Sequence, residues 1–350
     1  MNKLLVTGGA GFIGSAFIRL SLGSDPSLHI VNLDLLTYAG NLENLESIAE
    51  DQRYRFVHGD ICDAALVNKI LTEEKPDAIV HFAAESHVDR SIFTPSPAFE
   101  TNLRGTFVLL EAAKRHHTAR YLQVSTDEVY GSLQPPLEAD ESFPLNPASP
   151  YSASKAGADL LVRSYFLTYK LPVVITRASN NYGPYHFPEK LIPLMITNAL
   201  EGRLLPVYGD GLQVRDWLFV EDHCRGIRAV LDHGREGEIY NIGGNCSLPN
   251  LEVVRRILRA TGKPESLIEY VPDRPGHDRR YALSSEKLMR ETGWVPQVDF
   301  EAGLARTVDW YRQNTAWVAR VRNGEYLTYY ARNYENRQDE LRSVIDARGH

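Results

Sequence analysis

Cysteine is scarce. Cys62, Cys224 and Cys246 are the only three in 350 residues, at no spacing that builds a disulfide framework or a zinc site. Such usage points to a reducing compartment. Eleven histidines occur, but no two stand at the helical spacing that zinc ligands often use, so no metal is expected. Positive charge is not in excess, with 38 Lys and Arg against 45 Asp and Glu and no basic run, which leaves no electrostatic footprint for nucleic acid. No apolar run approaches the roughly eighteen residues of a membrane span, and the short run after Met1-Asn2-Lys3 does not make a signal peptide. The expectation is a cytoplasmic protein with no membrane partner. Internal repeats and low-complexity segments are missing as well.

What is present is a core-forming composition, 43% hydrophobic, in a chain long enough for one large domain or two fused lobes. A short apolar run, Leu4 to Thr7, stops at Gly8-Gly9-Ala10-Gly11-Phe12-Ile13-Gly14 and continues as a helix-forming segment. In such a strand, turn and helix, Gly8, Gly11 and Gly14 let the backbone approach a pyrophosphate, and the helix N-terminus offers free N–H groups. A second apolar run, His29 to Leu33, ends at Asp34, about twenty residues after the last glycine, where an acid can bind a ribose diol. With no arginine beside it, Asp34 favours NAD over NADP, whose 2′-phosphate would face a carboxylate. Strand patterns at 54–58, 78–82, 121–125 and 173–177 alternate with helical patterns at about 64–74, 98–115 and 155–170. This predicts an α/β fold, a Rossmann-type doubly wound parallel sheet whose ligands gather at the carboxyl ends of the strands. Beyond Pro184 the alternation is lost and Pro and Gly become frequent, which predicts a smaller interleaved C-terminal substrate-binding lobe. The expected division is 1–183 for the NAD-binding domain, with later segments returning to it, 184–332 mainly for the second lobe, and 333–350 as a charged tail. A closing helix is expected at about 301–321, with Trp310 and Trp317 packed rather than chemical.

Ser125-Thr126-Asp127-Glu128 closes the fifth strand and so reaches the same rim. Adjacent carboxylates at a strand end are commonly a solvated turn; beside a nucleotide cleft they become candidates for an acid and a base with separated pKa values. Pro150-Tyr151-Ser152-Ala153-Ser154-Lys155 then places Tyr151 and Lys155 four apart on one helical face, where the ammonium would favour the phenolate and fit the phenol to act as a base. With eighteen tyrosines in the chain, Tyr-x-x-x-Lys draws its weight from this context. Asp60 is placed either to contact an adenine amine or as a solvated loop acid. The segment Ala178 to Pro184 offers amides and hydroxyls suited to sugar and nicotinamide contacts. Arg215, Arg274, Arg279 and Arg280 stand in loops, and arginine forks match phosphate oxygens, so a nucleoside diphosphate is a natural partner.

The glycine turn with Asp34, Tyr151 and Lys155 resembles the extended short-chain dehydrogenase/reductase superfamily. Longer blocks resemble one family within it, the dTDP-glucose 4,6-dehydratases: Leu36-Thr37-Tyr38-Ala39-Gly40-Asn41, the run from Ala83 to Ser91, Ser125 to Gly131, Ser179 to Lys190, Arg215-Asp216-Trp217, and Asp273-Arg274-Pro275-Gly276-His277. With the glycine turn they reach from residue 7 to about 281. Leu35 departs from the pattern, which often has Lys there, and the departure implies a looser contact to the cofactor.

The resemblance implies a nucleotide-sugar substrate, dTDP-glucose, tightly retained NAD, and oxidation at C4 that makes C5 acidic. Tyr151 would remove the C4 hydroxyl proton with Lys155 beside it and Thr126 on the C4 oxygen; Glu128 would take the C5 proton and Asp127 protonate the departing C6 hydroxyl. Hydride returned to C6 would then complete a 4-keto-6-deoxy sugar. It further implies that Phe12, Ile13, Asp34, Leu35, Leu36, Thr37, Asp60, Ile61, Phe82, Ala83, Ala84, Glu85, Thr101 and Asn181 line the cofactor. Ser86, Asn180, Lys190, Leu191, Pro206, Val207, Tyr208, Arg215, Asn250, Asp273, Arg274, Pro275, Gly276 and His277 would hold the nucleotide sugar. A homodimer through the helices after Pro97 and Tyr151 is implied too. The rival readings are a UDP- or CDP-glucose 4,6-dehydratase, a nucleotide-sugar 4-epimerase, which has no use for an acid–base pair at C5 and C6, and a dinucleotide-sensing regulator without catalysis.

Overall fold

The strands in chain order are β1 (Lys3–Thr7), β2 (His29–Asp34), β3 (Tyr54–His58), β4 (Ala78–His81), β5 (Arg120–Thr126), β6 (Val173–Ala178), β7 (Asn180–Tyr182), β8 (Leu205–Tyr208), β9 (Val214–Phe219), β10 (Ile239–Ile242), β11 (Ser247–Pro249) and β12 (Ile268–Val271). The structure, a computed structural model, describes residues 1–322 and 324–335. Seven strands form one parallel sheet in the order β3-β2-β1-β4-β5-β6-β10, with Leu5 opposite both Val31 and Ile79. Both faces are covered, which is why these strands are unbroken apolar runs. Leu4 and Val6 pack on one side with Phe17 and Ile18 of the helix Phe12–Ser24 and Ile227 of the helix Val220–His233. Leu5 packs on the other with Ile70, Leu109 and Val162, carried by the helices Ala64–Glu74, Thr106–Arg115 and Pro150–Tyr169. The chain winds outward from β1 to β3 and then crosses to β4, so the switch point between β1 and β4 opens a crevice at their carboxyl ends.

The second lobe holds the sheet β11-β9-β7 and the parallel pair β12-β8. Its core sets Tyr182, Trp217 and Phe219 against the helices Leu191–Glu201, Asn250–Thr261 and Phe300–Gln313.

Three elements differ from expectation. Ile239-Tyr240-Asn241-Ile242 is too short an apolar run to stand out, yet it returns to the large sheet as edge strand β10 beside β6. The helix expected at 98–115 begins as Ser96–Phe99, widens into π-type turns over Glu100–Gly105 and only then continues as Thr106–Arg115. Such widening is frequent near functional sites. Here Asn102 accepts from the Glu85 N–H at 2.9 Å and donates to the Glu85 carbonyl at 3.0 Å and to Ser154 Oγ at 2.9 Å, clamping a strand-end loop. The closing helix breaks at Asn314 (φ −114°, ψ 41°) into Phe300–Gln313 and Thr315–Val321, and the Trp310 and Trp317 rings pack edge to face at 5.0 Å. Gly324–Tyr330 and Ala331–Glu335 follow as helical turns, so the first three residues of the expected charged tail are ordered into the second; residues 336–350 lie outside the described residues. No helix among the described residues is long and apolar enough to cross a membrane.

Candidate active site

The carboxyl ends of the large sheet and the loops of the second lobe enclose a cleft of about 410 Å³. Every residue expected in the site lines it except Leu36, Asp273, Pro275 and Gly276. Leu36, in a left-handed conformation (φ 55°), gives its N–H to Asp34 and turns its side chain into the core. Asp273 shapes its loop from outside, accepting from Gln213 Nε2 at 2.9 Å and the Arg274 N–H at 2.8 Å and meeting His277 Nδ1 at 2.6 Å. Pro275 and Gly276 are exposed. That block therefore delivers only Arg274 and His277. Arg279 and Arg280 also turn away from the cleft: the first pairs with Asp210 at 2.8 and 3.0 Å, the second donates to the Leu137 carbonyl.

At the glycine turn Gly8 has φ +72°, and a Cβ on Gly14 would stand 2.3 Å from the Gly8 carbonyl oxygen. Gly11 caps the following helix without a side-chain bond, which leaves its first-turn N–H groups for an anion. The Asp34 carboxylate accepts from the Ala10 and Leu36 N–H groups, both at 2.8 Å, and keeps lone pairs for a diol. Burial holds this carboxyl above its ordinary value, and those two bonds only partly oppose it. Ser125 Oγ, Asn180 Oδ1, His186 Nδ1 and His223 Nε2 belong to cleft residues, are buried, and have no partner among the described residues. Each such atom costs about 1–3 kcal/mol if left unsatisfied, so the walls are built for a polar ligand, and with the acid at β2 they fit a dinucleotide.

The chemistry-bearing groups are fixed from two directions. A capping box between Ser149 and Ser152, with Pro150 in the first turn, starts the helix Pro150–Tyr169, and the Tyr151 N–H donates to Ser91 Oγ at 3.1 Å. From the sheet, Thr126 caps the turn Asp127–Tyr130 by accepting from the Glu128 N–H at 3.2 Å, and its hydroxyl also bonds the Tyr151 phenol. Burial first, then Glu128, hold the Asp127 carboxyl well above the usual range. Burial also raises Glu128, but Arg274, Lys190 and Arg215 oppose it. Both carboxyls are thus raised, Asp127 the more strongly, so of the two Asp127 holds a proton more readily and Glu128, faced by three cations, gives one up more readily. Lys155 Nζ donates to the Val124 carbonyl at 2.7 Å, and burial brings its pKa down to about 8. The expected lowering of the Tyr151 pKa by Lys155 is not found, because burial, Glu128 and Asp127 push that phenol up.

Toward the second lobe Lys190 Nζ donates to the Ser86 carbonyl at 2.7 Å, and Arg215 donates to the carbonyls of Val214 and Asp278 while lying over the Tyr281 ring. Burial pushes the Arg274 guanidinium down, and Asp89, 3.7 Å away, together with Glu128, Tyr281 and Tyr208 more than reverses it. These are cations with N–H groups left for phosphate. Sequence reasoning missed His186, stacked on Phe12 at 4.0 Å, although it stands inside one of the quoted blocks. It also missed His223, whose Nδ1 meets Asn181 Oδ1 at 2.9 Å, and Tyr334; neither carries a local signal. Among the described residues no group of three or more His, Cys, Asp or Glu could hold a metal ion.

The same geometry has relatives. The dTDP-glucose 4,6-dehydratase of Shigella flexneri is 52% identical over 96% of this chain and 100% of its own length. A solved dTDP-glucose 4,6-dehydratase from Bacillus anthracis in complex with NAD is 51% identical, covers 92% of this chain and 100% of its own, and superposes with a TM-score of 0.87. The UDP-glucose 4-epimerase of Thermus thermophilus, solved with NAD, is 33% identical, with coverage of 89% and 99% and a TM-score of 0.83. At the level of families, GDP-mannose 4,6 dehydratase matches residues 5–307. A match reaching from β1 into the helix Phe300–Gln313 takes in the large sheet, both smaller ones and both acids, and the chain belongs to the GDP-mannose 4,6 dehydratase family.

Proposed function

We propose that this chain converts dTDP-glucose to dTDP-4-keto-6-deoxyglucose and water, acting as an NAD-dependent hydro-lyase. The observation that carries the reading is the unequal pair at the end of β5, a strongly raised Asp127 next to a cation-faced Glu128, within the same cleft as Tyr151. Simple exchange at C4 needs no such pair; removal of water across C5 and C6 needs both members. Bound NAD supplies the two-electron acceptor for C4, the donor that later reduces C6, and a positive ring charge against the carboxylates that keep Tyr151 protonated. Tyr151 takes the C4 hydroxyl proton while Thr126 hydrogen-bonds that oxygen. The resulting C4 ketone acidifies C5, whose proton goes to Glu128, and Asp127 gives its proton to the C6 hydroxyl as it leaves as water; as C6 is then reduced, Glu128 gives a proton back to C5, and the proton taken from the C4 hydroxyl makes good the one that Asp127 lost. The glycine turn, Asp34 and the β3 and β4 loops hold the cofactor; Lys190, Arg215 and Arg274 hold the diphosphate.

Exposed Phe99 and Phe107, and exposed Leu160 and Leu167, stand on the two helical segments after Pro97 and Tyr151, which supports a homodimer through that face. Three free cysteines fit a cytoplasmic setting. The test is incubation of purified protein with dTDP-glucose or UDP-glucose and no added cofactor. A 4-keto-6-deoxy product made preferentially from dTDP-glucose is expected. A C4 epimer as product, or strict dependence on added NADP, would overturn the reading.

A further inference from the structure

The part of the cleft wall that comes from furthest along the chain is Tyr334, in the turn Ala331–Glu335. Its ring stacks on Tyr208 with centroids 5.8 Å apart and 22° between planes, and its hydroxyl hydrogen-bonds with those of Tyr208 and Tyr329. Both neighbours are anchored in turn. Tyr329 shares a 3.0 Å hydrogen bond with Nε2 of buried His87, meets that ring edge to face at 4.9 Å, and lies under the Arg90 guanidinium at 5.0 Å. Tyr208, at the end of β8, donates to Asp89 Oδ2 at 3.4 Å and packs edge to face on His277 at 6.2 Å. The Asp89 carboxylate also faces Arg274. Tyr208 is thus held between a ring from the C-terminal turn and a ring from the 273–277 loop. Tyr208, Arg274 and His277 belong to the second lobe, whereas His87, Asp89 and Arg90 come from the loop and helix after β4, so the C-terminal turn touches both walls of the cleft at its cation-bearing end.

We propose that Tyr334 is a positioning residue for the nucleoside-diphosphate part of the substrate. It holds Tyr208 in one orientation, so that the C-terminal turn sets nucleotide affinity without touching the reacting carbons; this rests on the functional reading above. A tyrosine at a strand end with no backing ring samples several rotamers, and a ligand that must choose one binds more weakly. An aromatic pair contributes about 0.5–1.5 kcal/mol beyond its buried area, which corresponds to roughly two- to tenfold in affinity.

The test uses Tyr334→Ala and Tyr334→Phe in the full chain. Five quantities are measured: calorimetric affinity for dTDP alone, KM and kcat with dTDP-glucose, thermal midpoint, and NAD carried through purification. Tyr334→Ala should weaken dTDP binding and raise KM up to about tenfold, with kcat and bound NAD little changed, and Tyr334→Phe, which keeps the stack, should recover most of the loss. Unchanged dTDP affinity in Tyr334→Ala would overturn the proposal. So would a loss shared equally by kcat, NAD content and thermal midpoint and not recovered by Phe, since that is packing alone. If the unaltered protein binds dTDP but forms a C4 epimer, the functional reading fails while the positioning role is still decided by the dTDP titration.

Discussion

Replacing Glu128 by Gln keeps the side-chain shape and removes one charge and one base. Tyr151, Lys155 and Thr126 are untouched, so oxidation at C4 should proceed while loss of the C5 proton stalls. A positioned general base contributes roughly 10²–10⁴ in rate, or about 3–5 kcal/mol of barrier, and overall turnover should fall by that factor. Two electrostatic consequences follow from the same charge. Glu128 is the second cause, after burial, of the raised carboxyl at Asp127 and the raised phenol at Tyr151. In the variant both groups therefore give up their protons at lower pH, which leaves the first step as fast as before or faster. Rapid mixing with dTDP-glucose should show reduced nicotinamide forming within one turnover and persisting, while release of the 4-keto-6-deoxy product slows. Product formation within a few-fold of the unaltered protein, with no accumulation of reduced nicotinamide, would remove Glu128 from its role.

Other outcomes can be checked independently. Because burial brings Lys155 down to about 8, its charge is lost as pH rises through that value; single-turnover C4 oxidation should decline above about pH 8, and a flat profile there would count against a cationic Lys155 in the step. On the acid side Glu128 must be ionised and its carboxyl lies above the ordinary value, so solvent exchange at C5 should fade at a pH higher than a free glutamate would give. Gly14→Ala places a Cβ 2.3 Å from the Gly8 carbonyl, so protein that folds should copurify with little NAD, measured by its absorbance after acid release. Asp159→Ala strands Arg177, its partner at 2.9 Å in a pair almost wholly buried, and should cost about 3–5 kcal/mol, seen as a lower denaturation midpoint.

The glycine turn and Asp34 were legible because strand, turn and acid follow one another along the chain, and the sheet fixes where a strand end points. Tyr151 and Lys155 were legible because residues four apart in a helix share a face. Positions set by packing from elsewhere were not. Arg279 and Arg280 look like phosphate ligands in a list of arginines, yet Asp210 and the Leu137 carbonyl claim them. The four residues of β10 acquire their strand only by pairing with β6. Tyr334 reaches Tyr208 across more than a hundred residues of chain, and no local pattern announces it. The Lys155 effect on Tyr151 was argued from spacing alone, which takes no account of how strongly burial and two carboxylates act on the phenol.

The central claim is that the electrons removed at C4 are returned to the same sugar at C6 after water has left. Substrate dTDP-glucose deuterated at C4, turned over in ordinary water without added NAD, tests it directly by mass spectrometry and proton resonance of the product. The account predicts a 4-keto-6-deoxy sugar carrying the deuterium in its C6 methyl group. Deuterium found still at C4 of an epimerised sugar, or released to solvent, would contradict it.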